Sequence, residues 1–185
     1  NFVSLSSGGA IYLISESDQS FFGTNIIQNC QFFQNSSPTG GAIYISTSSI
    51  STTIFNYCIF NNNHADYDGG AIYLDQSNGN FTKCKFTNNY ISFSTTSITL
   101  FRGGSIFILN SEAEFEECYF DSNYATLESQ VSNSYVSGGA IYIEGLFGHF
   151  TNNTFLNNSA NLYGPAWSRG GSIVFTNSEG ILNNC

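Results

Sequence analysis

Short runs of alternating apolar and polar residues recur along this chain at a nearly constant interval. Each run begins after a Gly-Gly pair that is followed by Ala or Ser and then by Ile, as in the segment 69–74. The first glycines of the six copies are Gly8, Gly40, Gly69, Gly103, Gly138 and Gly170. They lie 29 to 35 residues apart, an interval typical of solenoids, propellers and other repeat arrays.

A second motif, Cys-x-Phe-x-x-Asn, falls between successive glycine pairs. Its cysteines are Cys30, Cys58, Cys84 and Cys118, and Asn153 takes this position in the fifth copy. Its closing asparagines are Asn35, Asn63, Asn89, Asn123 and Asn158. The β-favouring runs are separated by Gly, Asn, Ser and Asp clusters and show no helical period, so both motifs are expected on strands joined by turns.

The recurrence of each motif once per repeat indicates how the strands pair. A hairpin would pair two strands within one repeat, whereas identical motifs are better explained if each strand pairs in parallel with its copy in the next coil. The sequence therefore predicts an all-β fold, a parallel β-helix of about six coils of 29–35 residues. We expect residues 1–185 to form a single domain and to be a fragment of a longer solenoid, because neither end resembles a polar cap.

Alternation in the first strand of each coil separates two rows of side chains. One row, expected to point inward, is Ile11, Ile43, Ile72, Ile106, Ile141 and Ile173. The opposite row is Tyr12, Tyr44, Tyr73, Phe107, Tyr142 and Val174. This second row is either a stabilising ladder of stacked rings half covered by loops or a flat aromatic strip that binds sugar or a partner molecule.

The asparagine and cysteine positions predict two further columns. Stacked amides can hydrogen-bond from coil to coil and satisfy the backbone at a tight corner, so the asparagines are interpreted as a structural ladder. Neighbouring cysteines would have Cα atoms ~4.8 Å apart, which is inside the range for disulfides. The column therefore holds either packed thiols that act as small apolar groups or one or two disulfides between coils.

Gly-Gly-Ala-Ile alternating with Phe-x-x-Asn resembles the repeats of chlamydial polymorphic outer-membrane proteins, and related repeats occur in extracellular β-helix proteins of protists. The resemblance covers essentially the whole chain. It implies a right-handed β-helix that serves as a surface adhesin. The β-barrel domain of those bacterial proteins has no counterpart in this sequence.

Charge limits the partners that the chain can have. It carries 4 Lys+Arg against 13 Asp+Glu, for a net charge of -9. Four cations are too few for a phosphate-binding surface, so we expect no nucleic acid partner. No apolar stretch is long enough to span a membrane. Other copies of the chain, surface proteins and glycans remain as the expected partners.

The carboxylates are too scattered to predict an active site. Glu112, Glu114, Glu116 and Glu117 form an acidic strip, and Arg102 is the only basic residue in the same coil. We find no nucleophilic triad, phosphate loop or zinc spacing, and so expect no enzyme activity, no catalytic residue, no cofactor and no metal. The predicted function is an extracellular structural or adhesive module that assembles into filaments. The alternative is a carbohydrate-binding or polysaccharide-cleaving β-helix.

Two sets of surface residues complete the prediction. Asn80, Asn152 and Asn157 begin sequons and are glycosylation candidates if a eukaryotic cell secretes the chain. Three long connections, 90–102, 124–137 and 159–169, contain the interface candidates Tyr90, Phe93, Phe101, Tyr124, Tyr135, Tyr163 and Trp167. These connections either add a strand and cover the outer rings or form a contact surface for another protein.

Overall fold

The computed structural model describes residues 8–15, 23–95, 100–129, 134–165 and 167–185. Within these ranges the chain forms 23 strands and no helix. Every strand pair among them is parallel. The predicted parallel β-helix is confirmed, and the chain winds through about five turns.

Each turn contributes strands to three sheets, and the strands are numbered in chain order. The broad sheet contains β1 (Ile11–Ser15), β2 (Thr24–Gln28), β5 (Ile43–Asn56), β8 (Ile72–Thr82), β12 (Ile106–Leu109), β13 (Ala113–Glu116), β17 (Ile141–Glu144), β18 (Phe147–Thr151), β22 (Ile173–Thr176) and β23 (Glu179–Asn183). The narrow sheet contains β3 (Gln31–Phe33), β6 (Ile59–Asn61), β9 (Lys85–Thr87), β14 (Tyr119–Asp121) and β19 (Thr154–Leu156). The lobe sheet contains β4 (Ser36–Thr39), β7 (His64–Asp68), β10 (Tyr90–Thr95), β11 (Leu100–Arg102), β15 (Tyr124–Ser129), β16 (Tyr135–Ser137), β20 (Ser159–Tyr163) and β21 (Trp167–Arg169).

Equivalent residues of successive coils are direct neighbours. Ile72 pairs with Ile43 on one side and with Ile106 on the other, and both neighbours are fully buried. The predicted register and the inward direction of the isoleucines are therefore confirmed. Because the strand period is two, a slip of one residue would turn this whole row toward solvent.

Two columns of stacked phenylalanine rings fill the interior. Phe55, Phe81, Phe115 and Phe150 stack at centroid distances of 4.6–4.7 Å, in the broad sheet. Phe32, Phe60, Phe86, Phe120 and Phe155 stack at 4.7–4.8 Å, in the narrow sheet. The two columns meet edge to face, for example Phe81 with Phe86 at 6.0 Å. Rings thus pack both along and across the solenoid, in the offset and perpendicular geometries that aromatic pairs favour.

Residues in the left-handed backbone conformation mark the corners of the coils. One such column precedes the cysteines and comprises Asn29, Tyr57, Lys83, Glu117, Asn152 and Asn184. A second precedes the asparagine ladder and comprises Gln34, Asn62, Asn88, Ser122 and Asn157. Every φ in these columns lies between 52° and 56°. Such values cost free energy for most side chains, so the stacked neighbours must hold the corners in place.

The glycine pairs form a seam where adjacent coils approach most closely. The first glycine of each pair has a positive φ, 62° at Gly69. A Cβ at the second glycine, Gly70, would clash with the carbonyl oxygens of Tyr90 and Gly104. Glycine is required at both positions, first for its conformation and then for the space that it leaves.

The described parts of the long connections form a lateral lobe beside the solenoid, at 90–95, 100–102, 124–129, 134–137, 159–165 and 167–169. Their outgoing strands β10, β15 and β20 and their returning strands β11, β16 and β21 form two ladders that meet at β7. A second apolar cluster packs between the ladders and comprises Ala65, Ile91, Phe101, Ala125, Leu127 and Val136. The connections therefore add strands, as the first interpretation of these segments expects.

Candidate functional site

A groove crosses the outer face of the broad sheet. It has a volume of about 460 Å³. Its lining residues are Ile54, Asn80, Phe81, Thr82, Glu114, Phe115, Glu116, His149 and Thr151. The groove is open to solvent, and polar side chains from several coils line it.

Parallel register places the polar groups of this groove. Glu114 pairs with Asn80 in the preceding coil and with His149 in the following coil. Glu114 and Glu116 alternate with the buried Ala113 and Phe115, so both carboxylates face outward. Two residues along a strand correspond to about 6.6 Å between Cα atoms.

Polar side chains contact the His149 ring. Its Nε2 lies 3.2 Å from Asn183 Nδ2 and 3.4 Å from Thr151 Oγ1. The parallel register places the imidazole beside Glu114.

The groups of this groove are suited to hydrogen bonding with hydroxyl groups. Carboxylates accept from them, amides do both, and an imidazole can transfer a proton. In the ranges that the structure describes, no three His, Cys, Asp or Glu side chains come together as metal ligands. The sequence analysis identified the acidic strip but did not single out His149. Aligning the repeats would have found it: Phe115 and Phe150 occupy the same repeat position, so the residues directly before them, Glu114 and His149, lie in one column.

The asparagines Asn35, Asn63, Asn89, Asn123 and Asn158 lie in one column at a corner. The backbone N–H and Nδ2 of Asn89 both donate to Asn123 Oδ1, at 3.0 Å each. Nδ2 also donates to the carbonyl of Phe60 at 3.0 Å. The same pattern repeats in the coils on either side. These amides are used for stacking and are not free to bind a ligand.

Cys30, Cys58, Cys84 and Cys118 lie in one column as free thiols. Cys84 Sγ donates to the carbonyl of Phe55 at 3.3 Å, and Cys118 Sγ to that of Phe81 at 3.4 Å. A hydrogen bond with Cys118 raises the pKa of Cys84 to about 12, and burial adds to this increase. Asn153 continues the column with an amide that accepts from the Cys118 N–H at 2.8 Å. Cys185 follows it and is exposed.

The three glycosylation candidates occupy different environments. Asn80 is half-buried in the wall of the groove. Asn157 is exposed, and its Nδ2 donates to Asp121 Oδ1 at 3.1 Å. Asn152 is exposed at a left-handed corner, where its Oδ1 accepts from Asn184 Nδ2 at 3.2 Å.

Most of the interface candidates lie on the lateral lobe surface. Tyr163 is 64 % exposed, Trp167 62 % and Phe93 37 %, whereas Tyr90, Tyr124 and Tyr135 are half-buried. Phe101 is fully buried between the two ladders of the lobe. The prediction that Phe101 contributes to an interface is therefore wrong, because alternation on the short returning strand turns its ring inward.

The outer ring row is a stacked ladder. Tyr12 and Tyr44 lie 5.2 Å apart with an interplanar angle of 22°, and Tyr44 and Tyr73 lie 4.9 Å apart at 8°. The ring faces pack against one another, so the row presents ring edges and hydroxyl groups to solvent. Farther along, Phe107 is fully buried. This geometry favours the ladder interpretation over a flat strip for sugar.

Arg102 covers this part of the row and carries an ion-pair network. Its Nε and Nη2 donate to the two carboxylate oxygens of Asp68 at 3.1 and 2.9 Å, and Nη1 donates to Glu144 at 3.0 Å. The guanidinium carbon lies 4.3 Å from the centre of the Phe107 ring. Asp68 and Arg102 each stand directly before a glycine pair, in adjacent coils, and Asp68 is only 9 % exposed. Burial raises the pKa of the Asp68 carboxyl, against the opposing hydrogen bonds and charge of Arg102.

Comparison with known proteins identifies the fold family. A family described as the right-handed β-helix region matches residues 1–185. No curated protein and no solved structure matches the chain. No helix of the described residues has the length and apolar character required to cross a membrane. The match distinguishes no narrower group, such as the chlamydial repeats, and it agrees with the parallel ladders and buried columns described above. The chain thus belongs to the right-handed β-helix family.

Proposed function

We propose that this chain is an extracellular structural or adhesive module whose rigid solenoid presents the lateral lobe to other molecules, including further copies of itself. The observation that carries the proposal is how the repeated side chains are used. Asparagine, cysteine, phenylalanine and isoleucine columns are all engaged in stacking one coil on the next. Such a chain gains stiffness from every turn, as repeat proteins do.

The outgoing face of the lobe supports the contact role. Tyr90 and Tyr124 stack at 5.0 Å, and Tyr163 is largely exposed on the same ladder. Exposed tyrosines are common at the centres of protein interfaces because they bury a large area with few rotatable bonds. The resemblance to chlamydial and protist surface repeats further supports a location outside the cell.

Assembly is tested with the purified chain by electron microscopy and sedimentation velocity over a range of concentrations. We expect filaments or oligomers, and we expect Tyr163→Ser to shift association to higher concentration. Tyr57→Ser is the matched control, since Tyr57 is 55 % exposed at a corner away from the lobe. Monomers at every concentration, or an equal effect of both variants, would contradict the assembly proposal.

Location is tested separately on intact source cells with a membrane-impermeant biotin reagent. An extracellular module should be labelled without lysis. Labelling only after lysis would contradict the proposed location and would leave the assembly result unaffected.

Carbohydrate binding or cleavage is the second candidate, and the groove that contains Glu114, Glu116 and His149 favours it. Right-handed β-helices include polysaccharide lyases as well as proteins without enzyme activity. Two carboxylates on one face can serve as an acid and base pair. A panel of neutral and acidic polysaccharides would be assayed for new reducing ends, with Glu114→Gln and Glu116→Gln as loss variants. Glu117→Gln is the control because Glu117 pairs with Lys83 at 3.6 Å outside the groove.

A further inference from the structure

Three buried thiols lie in consecutive coils at one corner of the solenoid, at Cys58, Cys84 and Cys118. Each cysteine directly precedes a strand of the narrow sheet, and the backbones pair from coil to coil. The Lys85 N–H donates to the carbonyl of Cys58 at 2.9 Å. The Tyr119 N–H donates to the carbonyl of Cys84 at 3.0 Å. Neighbouring cysteines therefore have Cα atoms ~4.8 Å apart, a separation that a disulfide can span.

The sulfur of Cys118 is directed at the coil that contains Cys84. It donates to the carbonyl of Phe81 at 3.4 Å, and Phe81 lies three residues before Cys84 in the chain. A hydrogen bond also joins the thiols of Cys84 and Cys118. The Cys84 sulfur donates to the carbonyl of Phe55 in the coil before it, at 3.3 Å. Rotation of the Cys84 side chain away from that carbonyl would bring the two sulfurs to bonding distance.

Among the described residues, Cys84 is the single thiol in register with Cys118. On the other side of Cys118 the column continues with Asn153, whose Oδ1 accepts from the Cys118 N–H at 2.8 Å. An amide cannot form a disulfide, so this pairing is excluded. Hydrogen bonding with Cys84 lowers the pKa of Cys118, whereas it raises the pKa of Cys58. Because the thiolate is the reactive form, Cys118 is the thiol of this column best suited to react first.

We propose that Cys84 and Cys118 form a redox latch that a low-molecular-weight disulfide, such as glutathione disulfide, closes. The Cys118 thiolate attacks one sulfur of glutathione disulfide, forms a mixed disulfide and releases one glutathione. The Cys84 thiolate then attacks the Cys118 sulfur, which forms the bond between the coils and releases the second glutathione. Two protein thiols are oxidised, one disulfide is reduced, and the two thiol protons pass to the released glutathiones. An excess of reduced glutathione reverses both steps.

The latch would close one full coil into a covalent ring. The chain between the two cysteines contains the narrow-sheet strand β9, the lobe strands β10 and β11, and the broad-sheet strands β12 and β13. Closing this long loop restricts the unfolded chain and so stabilises the folded coil. The exchange should be slow, because the coils must separate before an oxidant reaches buried sulfur. This proposal is independent of filament assembly and of location in the cell.

The latch is tested in the full chain with Cys30→Ser and Cys185→Ser, which leaves the three buried thiols. The folded protein is incubated overnight with glutathione disulfide, its free thiols are counted after unfolding, and peptide mapping by mass spectrometry identifies the pair. We expect one free thiol, at Cys58, and a disulfide between Cys84 and Cys118. The midpoint of urea unfolding should rise by about 1 M and return to its first value after reduction with dithiothreitol.

Two alanine variants in this background are matched, because each removes one buried thiol and leaves one adjacent pair. Cys58→Ala keeps Cys84 and Cys118 and should form the disulfide as fast as the background protein. Cys118→Ala keeps Cys58 and Cys84 and should form one about ten times more slowly. The proposal is overturned if all thiols persist, if mapping finds Cys58 joined to Cys84, if both variants oxidise at the same rate, or if the disulfide leaves the urea midpoint unchanged.

Discussion

Ser105 stands at a repeat position where both neighbouring coils have alanine. Ala71 and Ala140 lie at the same position, and Ser105 is fully buried between them. Among buried side-chain oxygens and nitrogens of the described residues, only Ser105 Oγ lacks a hydrogen-bond partner. A buried hydroxyl without a partner costs about 1–3 kcal/mol.

We therefore predict that Ser105→Ala stabilises the protein. The free energy of unfolding should rise by about 1 kcal/mol, read as a higher midpoint in urea with an unchanged slope. Ser172→Ala is the control, since Ser172 has the same place in a coil that is only partly covered. A loss from Ser105→Ala would show that the hydroxyl has a partner such as water, and equal gains from both variants would show that alanine is favoured at this position for another reason.

At the scale of the elements, the sequence predicts the register of the paired strands more directly than it predicts the conformation of the corners between them. The isoleucines and glycines recur once per coil, so aligning the copies also aligns the strands. The corners could not be read in this way. Tyr57, Lys83 and Glu117 have little preference for positive φ, and they adopt it because each corner is stacked on another. Stacking therefore overrides the local preference of the residue.

The lobe is a second case in which the local sequence pattern does not predict which side chains are buried. Phe101 follows one exposed residue and precedes Arg102, and nothing in this short run shows which side faces the other ladder. The burial of Asp68 has the same origin, because Arg102 reaches it only when the returning strand β11 folds back on β7.

Arg102→Met tests this contact between strands. Loss of the guanidinium leaves Asp68 nearly buried without its main partner, and we expect a destabilisation of about 2–3 kcal/mol in urea unfolding. The double variant Asp68→Leu with Arg102→Met should recover most of the loss, since a buried pair can be replaced by apolar groups at little cost.

Lys83→Met supplies the comparison for the ion pair. Lys83 and Glu117 are 43 % and 48 % exposed in their side chains, so this change should cost at most about 0.5 kcal/mol. If Arg102→Met lowers the free energy of unfolding no more than Lys83→Met does, the ion pairs of Arg102 contribute no more than an exposed pair.

At the scale of the whole molecule, the coils shield one column of thiols to different degrees. Cys58, Cys84 and Cys118 are buried, Cys30 is partly covered and Cys185 is exposed. Access to a reagent should follow this order, because the buried thiols require opening between coils.

We predict that a chromogenic disulfide reagent modifies the five cysteines in steps. In the folded protein Cys185 should react first and Cys30 more slowly, with the other three protected. Unfolding without reductant should release all five thiols. A count below five in the unfolded, unreduced protein would instead indicate disulfides between coils.

The glycine seam also bears on how such a chain can change its length in evolution. Every turn meets the next through the same close backbone contact, whatever the size of its lateral lobe. A duplication or deletion bounded by two glycine pairs would insert or remove one complete turn and rejoin compatible surfaces. Genes of this kind can therefore gain or lose turns by recombination between repeats while each product still folds, and populations should carry alleles that differ by whole coils.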